Sequence, residues 1–325
     1  MIGKLFQRRL LVVAGKGGVG KTTVACALAL EAARAGKRTV LAEVDGSGRA
    51  AALLGLDPVP IGEVRPVRPN LHVMAVDGKA ALEEYLAMIV PIRRLLDAVF
   101  SSRIYQYFVA AAPGLKELMT IGKIFYEAER VDETTDARRW DLVILDAPAT
   151  GHSVQYLRMP RAAHDAFGGG LVARETQRVL DLLTDRKQTA INLVTTAEEM
   201  PVNETIEMYR QLCGELRLPA GYLFVNRVHR VAFADADVER VAAALPTARD
   251  ADDRAVLEEI VRRGREECGW SAINARYRER LATEIDLPAV EIPYIFAEEF
   301  GVEQVREIAA GLVSNAALSA QRRAR

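Results

Sequence analysis

Seven short, mostly apolar segments recur along the chain, and the intervals between them set the architecture they predict. Leu10-Leu11-Val12-Val13-Ala14 is the first, closed by Gly15. An unbroken apolar run of that length ended by glycine is the pattern of a strand buried on both faces of a parallel sheet. Residues 22–35 are rich in Ala and Leu, helical in character, and stop near Gly36; residues 38–44 then read as a second strand ending at Asp45. Strand, loop, helix and strand form a βαβ unit, which makes the two strands parallel and puts helices over them. Further strands are predicted at 71–76, 142–145, 190–195, 222–225 and 289–292, with room for crossover helices between them.

Two stretches break this alternation. Residues 79–133 hold no convincing strand and carry Leu, Met, Tyr, Phe and Ala at helical spacing, and residues 160–187 are helical but interrupted by Gly168-Gly169-Gly170. The predicted fold is therefore a doubly wound α/β domain with a mostly parallel sheet, built from 1–78, 134–159 and 188–325. A helical subdomain, 79–133 and 160–187, is inserted in it. The dense apolar positions of that subdomain include Tyr85, Met88, Ile89, Phe100, Ile104, Tyr105, Tyr107, Phe108 and Val109. By themselves they fit a closed core or a dimer contact. The span 249–284 is charged and helical, with no sign of a site. A last helix puts Val302, Val305, Ile308, Leu312 and Val313 on one face; lacking bulky aromatics, it suits packing on the sheet better than lying on a membrane.

Chemistry is concentrated where the first strand ends. Gly15-Lys16-Gly17-Gly18-Val19-Gly20-Lys21-Thr22-Thr23 places GxxxxGK[ST] between a strand and a helix, the context that identifies a phosphate-binding P-loop. Its glycines let backbone N–H groups converge on the phosphates of ATP, and the helix N-terminus adds its dipole. Lys21 is expected on the β- and γ-phosphates and the Thr22 hydroxyl on Mg²⁺. Two strand-end carboxylates should face this loop: Asp45 to orient or deprotonate the attacking water, and Asp146 to hold Mg²⁺ through water.

Composition narrows the setting. The 325 residues are half apolar and about a quarter charged, with a formal net charge of −1, which provides no bulk attraction to nucleic acid or an anionic membrane. The basic tail Gln321-Arg322-Arg323-Ala324-Arg325 reads as a solvated end. No run reaches the roughly 18–20 apolar residues of a membrane span. Residues 1–9 carry charges where a signal peptide would have its apolar core. Cys26, Cys213 and Cys268 are widely spaced, with no CxxC, so a reduced cytoplasmic protein with ordinary thiols is expected.

The lysine directly after the first glycine, Lys16 in GKGGVGKTT, resembles the deviant P-loop of the ATPases related to MinD, ParA, NifH and ArsA. In that class, the resemblance implies, this lysine reaches across a dimer to the partner's nucleotide, as an arginine finger would. Asp146-Ala147-Pro148-Ala149-Thr150-Gly151-His152 is similar to the DTAPTGHT segment of ArsA-type ATPases, which include the targeting ATPase for tail-anchored proteins. There Asp146, Pro148, Thr150, Gly151 and His152 would form the switch that passes the γ-phosphate state to the helical subdomain. Ala112–Leu118 resembles the PGxxE segment of that family, and Glu199–Thr205 its stretch after a later strand. Asn226 matches the asparagine that reads adenine, and the turn from Pro293 to Phe296 takes the place of the loop that closes over the base.

The departures also count. Gly46-Ser47-Gly48 follows Asp45 where the family has Pro-Ala-His, so the first switch is expected to move differently. No zinc is expected without a CxxC, no metalloid-binding cysteine triplet is recognisable, and there is one P-loop rather than a tandem pair. The resemblance is to single-P-loop bacterial ArsA-like proteins, and it implies a Mg²⁺-dependent ATPase that works as a homodimer or a heterodimer with a paralogue. A protein client or partner on the helical subdomain, where the resemblance implies a groove for an apolar client helix, is the first implied role. A ParA- or MinD-like positioning or scaffold ATPase is the second, and an arsenite-pump subunit the third. Membrane contact would come only through a partner.

Overall fold

The computed structural model describes residues 2–44, 46–90, 92–132, 136–148, 151–231 and 233–323, with side chains except at 93, 95, 151, 152 and 313–323. Eight strands form one sheet: β1 (Leu10–Gly15), β2 (Thr39–Val44), β3 (Val64–Arg68), β4 (Leu71–Val76), β5 (Leu142–Asp146), β6 (Thr189–Thr196), β7 (Ala220–Val228) and β8 (Ala289–Pro293). Their order across the sheet is β3-β4-β2-β5-β1-β6-β7-β8. Every neighbouring pair is parallel except β3–β4. The seven strands predicted from sequence all form, and β3 is an addition. Its sequence, Val-Arg-Pro-Val-Arg, is half polar and contains Pro66, which only an edge strand accommodates because proline has no N–H for a ladder.

Because successive side chains on a strand point to opposite faces, each central strand feeds two cores. Leu11, Val13, Leu41 and Ile144 pack under α1 (Lys21–Arg34), the short α2 (Arg49–Leu53) and α12 (Val302–Arg323). Val305, Ile308 and Leu312 are buried there, as the amphipathic pattern of the last helix predicts. Leu10, Val12, Ala14 and Val143 face the opposite layer. It is made by α6 (Leu115–Glu129), α7 (Gly151–Phe167), α8 (Gly170–Thr184), α9 (Glu199–Tyr209) and α11 (Ala251–Glu284). On α11, α10 (Asp235–Ala244) packs at the exposed side. Among the described residues no helix is long and apolar enough to cross a membrane.

Helices α3 (Gly78–Ile89), α4 (Arg93–Ser101) and α5 (Arg103–Ala111) follow β4, and α3 packs on α6. They close a small separate core of Leu82, Tyr105 and Val109. α6 ties this group to the sheet layer through a buried carboxylate: Glu127 accepts from Trp140 Nε1 at 2.9 Å and pairs with Lys123 at 3.0 Å. α7 is continuous through Pro160, so the boundary expected between 159 and 160 falls inside one helix.

Candidate functional site: a phosphate loop between two strand ends

β1 sits where the chain order reverses, with β5 on one side and β6 on the other. In an open α/β sheet, that crevice at the strand C-termini is where ligands bind. The P-loop leaves β1 there. Gly18 and Gly20 adopt φ values of 84° and 94°, a left-handed backbone that glycine enters without strain. A Cβ at Gly20 would lie 2.2 Å from Asn226 Nδ2, so the loop also requires glycine for space. The first bond of α1 runs from Val24 N to Gly20 O at 3.0 Å. The amides of Lys21, Thr22 and Thr23 precede it and are available to an anion at the helix N-terminus.

Lys21 is almost fully buried and donates to its own loop, Nζ to Lys16 O at 2.9 Å. Thr22 Oγ1 donates to Asp146 Oδ2 at 2.7 Å, so the P-loop threonine and the end of β5 already meet. Burial pushes the Asp146 carboxyl up to about 6; the Thr22 hydrogen bond and the Lys21 charge oppose the shift, and Glu43 adds to it. Its Oδ1 is buried with no hydrogen-bond partner. Burial lowers the Lys21 amine, and the nearby Asp146 carboxylate partly restores it. An orphaned carboxylate oxygen beside a threonine hydroxyl is a hard-oxygen donor set that fits Mg²⁺. Thr22 would hold the ion directly and Asp146 through water.

Lys16, on the same loop, pairs with Glu204 of α9 at 2.7 Å. Within one chain the lysine expected to act on a partner's nucleotide is thus held by a cis carboxylate. Asn226, expected just after the strand, lies inside β7, which runs on to Val228, and its amide turns to the P-loop and donates to Val19 O at 2.8 Å. That contact braces the turn carrying Gly20 and uses one of the two N–H donors of Asn226. Pro293 ends β8, and beyond it Tyr294 packs against His229 and Phe296, with ring centroids 4.7 and 4.8 Å apart.

In the switch segment, Ala147 N donates to Val13 O at 3.0 Å, and Ser153 Oγ donates to Pro148 O. Gly151 opens α7, so the chain passes from Asp146 into the helical layer within a few residues. Asp45 and Thr150 lie outside the described residues, as does the side chain of His152. Two site neighbours were not singled out from sequence. Glu43 is a buried carboxylate in the fully buried, otherwise uncharged strand β2, and Arg49 opens α2. A lone charged residue two positions before a strand-end aspartate was the available signal.

Comparison with known proteins agrees with this geometry. The family model for anion-transporting ATPases, ArsA_ATPase, matches residues 8–169. The chain is 32% identical over 308 residues to ATPase BagA of Mycobacterium tuberculosis, covering 88% of this chain and 87% of that one. It is 29% identical over 254 residues to the arsenical pump-driving ATPase of Acidiphilium multivorum, covering 72% of this chain and 42% of that one. To an arsenical pump-driving ATPase of Escherichia coli it is 28% identical over 238 residues, covering 67% and 39%. With its P-loop at the head of β1 and this likeness along most of its length, the chain belongs to the ArsA family of ATPases.

Proposed function

We propose that the protein hydrolyses ATP with Mg²⁺ as a nucleotide-switched dimer, and that the switch controls an apolar helix of a partner protein bound at α3–α5. Lys21 and the loop amides bind the phosphates. Thr22 and Asp146 hold Mg²⁺, which neutralises phosphate charge, and Asp45 orients the attacking water. Lys16 leaves Glu204 and reaches the partner's site as charge develops in the transition state. Asn226 and the turn after Pro293 hold the base.

The partner half of the proposal rests on exposed apolar side chains. Ile104, Tyr107 and Phe108 are 83, 74 and 60% exposed at i, i+3 and i+4 on α5, and Met88 and Ile92 are more than half exposed nearby. A contiguous apolar face of this kind marks an interaction site. The sequence left core and groove open for these positions; Tyr105 and Val109 turn into the core, whereas Ile104, Tyr107 and Phe108 face out. A metalloid role is disfavoured because burial pushes the Cys26 and Cys213 thiols up, Cys213 to about 11, away from the thiolate a soft metalloid needs.

A photo-crosslinking residue at Tyr107 tests the reading. With ATP and the slow-hydrolysing Asp45→Asn variant, the expected adduct is a protein bearing an apolar helix, and it should be lost with ADP or with Ile104→Ser/Phe108→Ser. An adduct between two copies of the chain would make this face a dimer contact instead.

A further inference from the structure

Glu43, near the end of β2, and the loop that follows it anchor the backbone of Arg49 near the strand ends that carry the phosphate site. Glu43 lies beside Asp146 in the β2–β5 register. It is only 3% exposed, yet it has no basic side chain in a salt bridge among the described residues. Its Oε1 instead accepts three hydrogen bonds from the next loop: Ser47 Oγ at 2.5 Å, Arg49 N at 2.9 Å and Ala50 N at 3.3 Å. Gly48, with φ 73°, makes the turn, and a Cβ there would press on Pro58 at 3.1 Å. Ala50 O faces Cys26 Sγ of α1 at 3.8 Å, so the clamp is also packed on the helix that carries Lys21.

This clamp fixes the backbone from which Arg49 projects. The Arg49 side chain is exposed, with no hydrogen bond or ion pair among the described residues. Its charge is nonetheless felt at two places: at Lys21, where it adds to the lowering caused mainly by burial, and at Asp146, where it offsets part of the rise. Lys21 marks where the β- and γ-phosphates sit, and Asp146 marks the Mg²⁺ side. Arg49 N is held on Glu43, which neighbours Asp146 in the sheet, so the arginine is rooted beside these strand ends; a guanidinium is suited to the fork-like recognition of phosphate oxygens.

We propose that Arg49 is a cis-acting contact to the γ-phosphate of ATP, held in place by Glu43 as its positioning residue. The inference goes beyond the P-loop assignment on which it rests, in which Lys21 and the loop amides hold the β-phosphate and Lys21 alone reaches the γ-phosphate. A γ-specific cation in cis gives the chain a way to tell ATP from ADP before any partner contributes Lys16.

The test compares two affinities in the full-length protein with Mg²⁺: for ADP, and for ADP with beryllium fluoride, which places a phosphate mimic at the γ position. Arg49→Ala should weaken the beryllofluoride complex at least about tenfold, the size of a lost charge-assisted hydrogen bond. ADP affinity should stay within about twofold, and Arg49→Lys should restore part of the loss. Glu43→Ala should give the same selective loss with Arg49 intact. Glu43→Gln, whose amide oxygen can still accept from Ser47 and the two N–H groups, should behave near wild type. Lys21→Ala is the contrast, weakening both complexes; if it weakens neither, the P-loop reading fails rather than this one. Equal affinities in Arg49→Ala and wild type, or an equal loss for ADP, would overturn the proposal, as would a Glu43→Gln variant as defective as Glu43→Ala.

Discussion

At the scale of single residues, the site stores an unfavourable group. Asp146 is buried with one oxygen unpartnered, and its carboxyl titrates near 6 rather than in the ordinary range. A carboxyl whose pKa is higher in the folded than in the unfolded state contributes stability at low pH that is lost as pH rises through the folded value. Near neutral pH the ionised side chain therefore costs the ligand-free fold about 3 kcal/mol. Asp146→Asn should raise the ligand-free melting temperature above pH 7, with the gain shrinking below pH 5, while weakening Mg²⁺-dependent nucleotide binding. Equal melting temperatures at pH 7.5, followed by calorimetry, would show that Asp146 carries no such cost. Residues of this kind were only half legible in the sequence. The strand-end position of Asp146 was visible. Its contact with Thr22, and the company of Glu43 and Arg49, depend on β5 lying between β1 and β2, and on the loop that brings Arg49 back to the strand ends. Asn226 illustrates the same limit: its place after the apolar run Leu223-Phe224-Val225 was readable, but that β7 continues through it to Val228, and that it bonds Val19 O where the Gly20 turn approaches β7, was not.

Among the elements, α6 carries the connection between the helical group and the sheet layer. Glu127 is 1% exposed and meets Lys123, Trp140 and Arg130. Burial alone would raise its carboxyl, but Lys123, the Trp140 hydrogen bond and Arg130 together hold it below the usual range. A lowered folded pKa means that this contribution is present above the unfolded value and is lost as pH falls through the folded one. Glu127→Ala removes the partner of a buried indole N–H and of a mostly buried ammonium, and should cost roughly 2–4 kcal/mol. Lys123 retains Glu84 at 2.6 Å, which keeps the cost from the top of that range. Urea unfolding at pH 7 and pH 4 checks both points: the gap between variant and wild type should narrow at the lower pH. The strands were legible because central parallel strands are apolar on both faces. β3 was not, because an edge strand with Pro66 and two arginines has neither alternation nor an apolar run. The helical insertions were legible as helices, but which apolar positions face inward depends on how α3, α5 and α6 pair, and one sequence periodicity fits both a core and a groove.

For the molecule as a whole, Lys16 is the residue through which the proposed dimer would act on its partner's nucleotide. Its pair with Glu204 is partly solvated, both side chains being a little over a quarter exposed. Such a pair is worth about 1 kcal/mol or less, so a partner's transferring phosphate can displace it readily. The lysine directly after Gly15 was plain in the sequence; the carboxylate that pairs with it was not, since Glu204 lies far along the chain on α9. The direct measurement is hydrolysis by a mixture of two variants, each defective alone. Lys16→Ala keeps its own Asp45 but offers no lysine, and Asp45→Asn offers Lys16 but lacks the water-positioning group. If Lys16 acts across a dimer, an equal mixture should recover roughly a quarter of wild-type activity, because half the dimers are mixed and each holds one competent site. A mixture no more active than the sum of its parts, or a Lys16→Ala protein with unchanged turnover, would contradict the account.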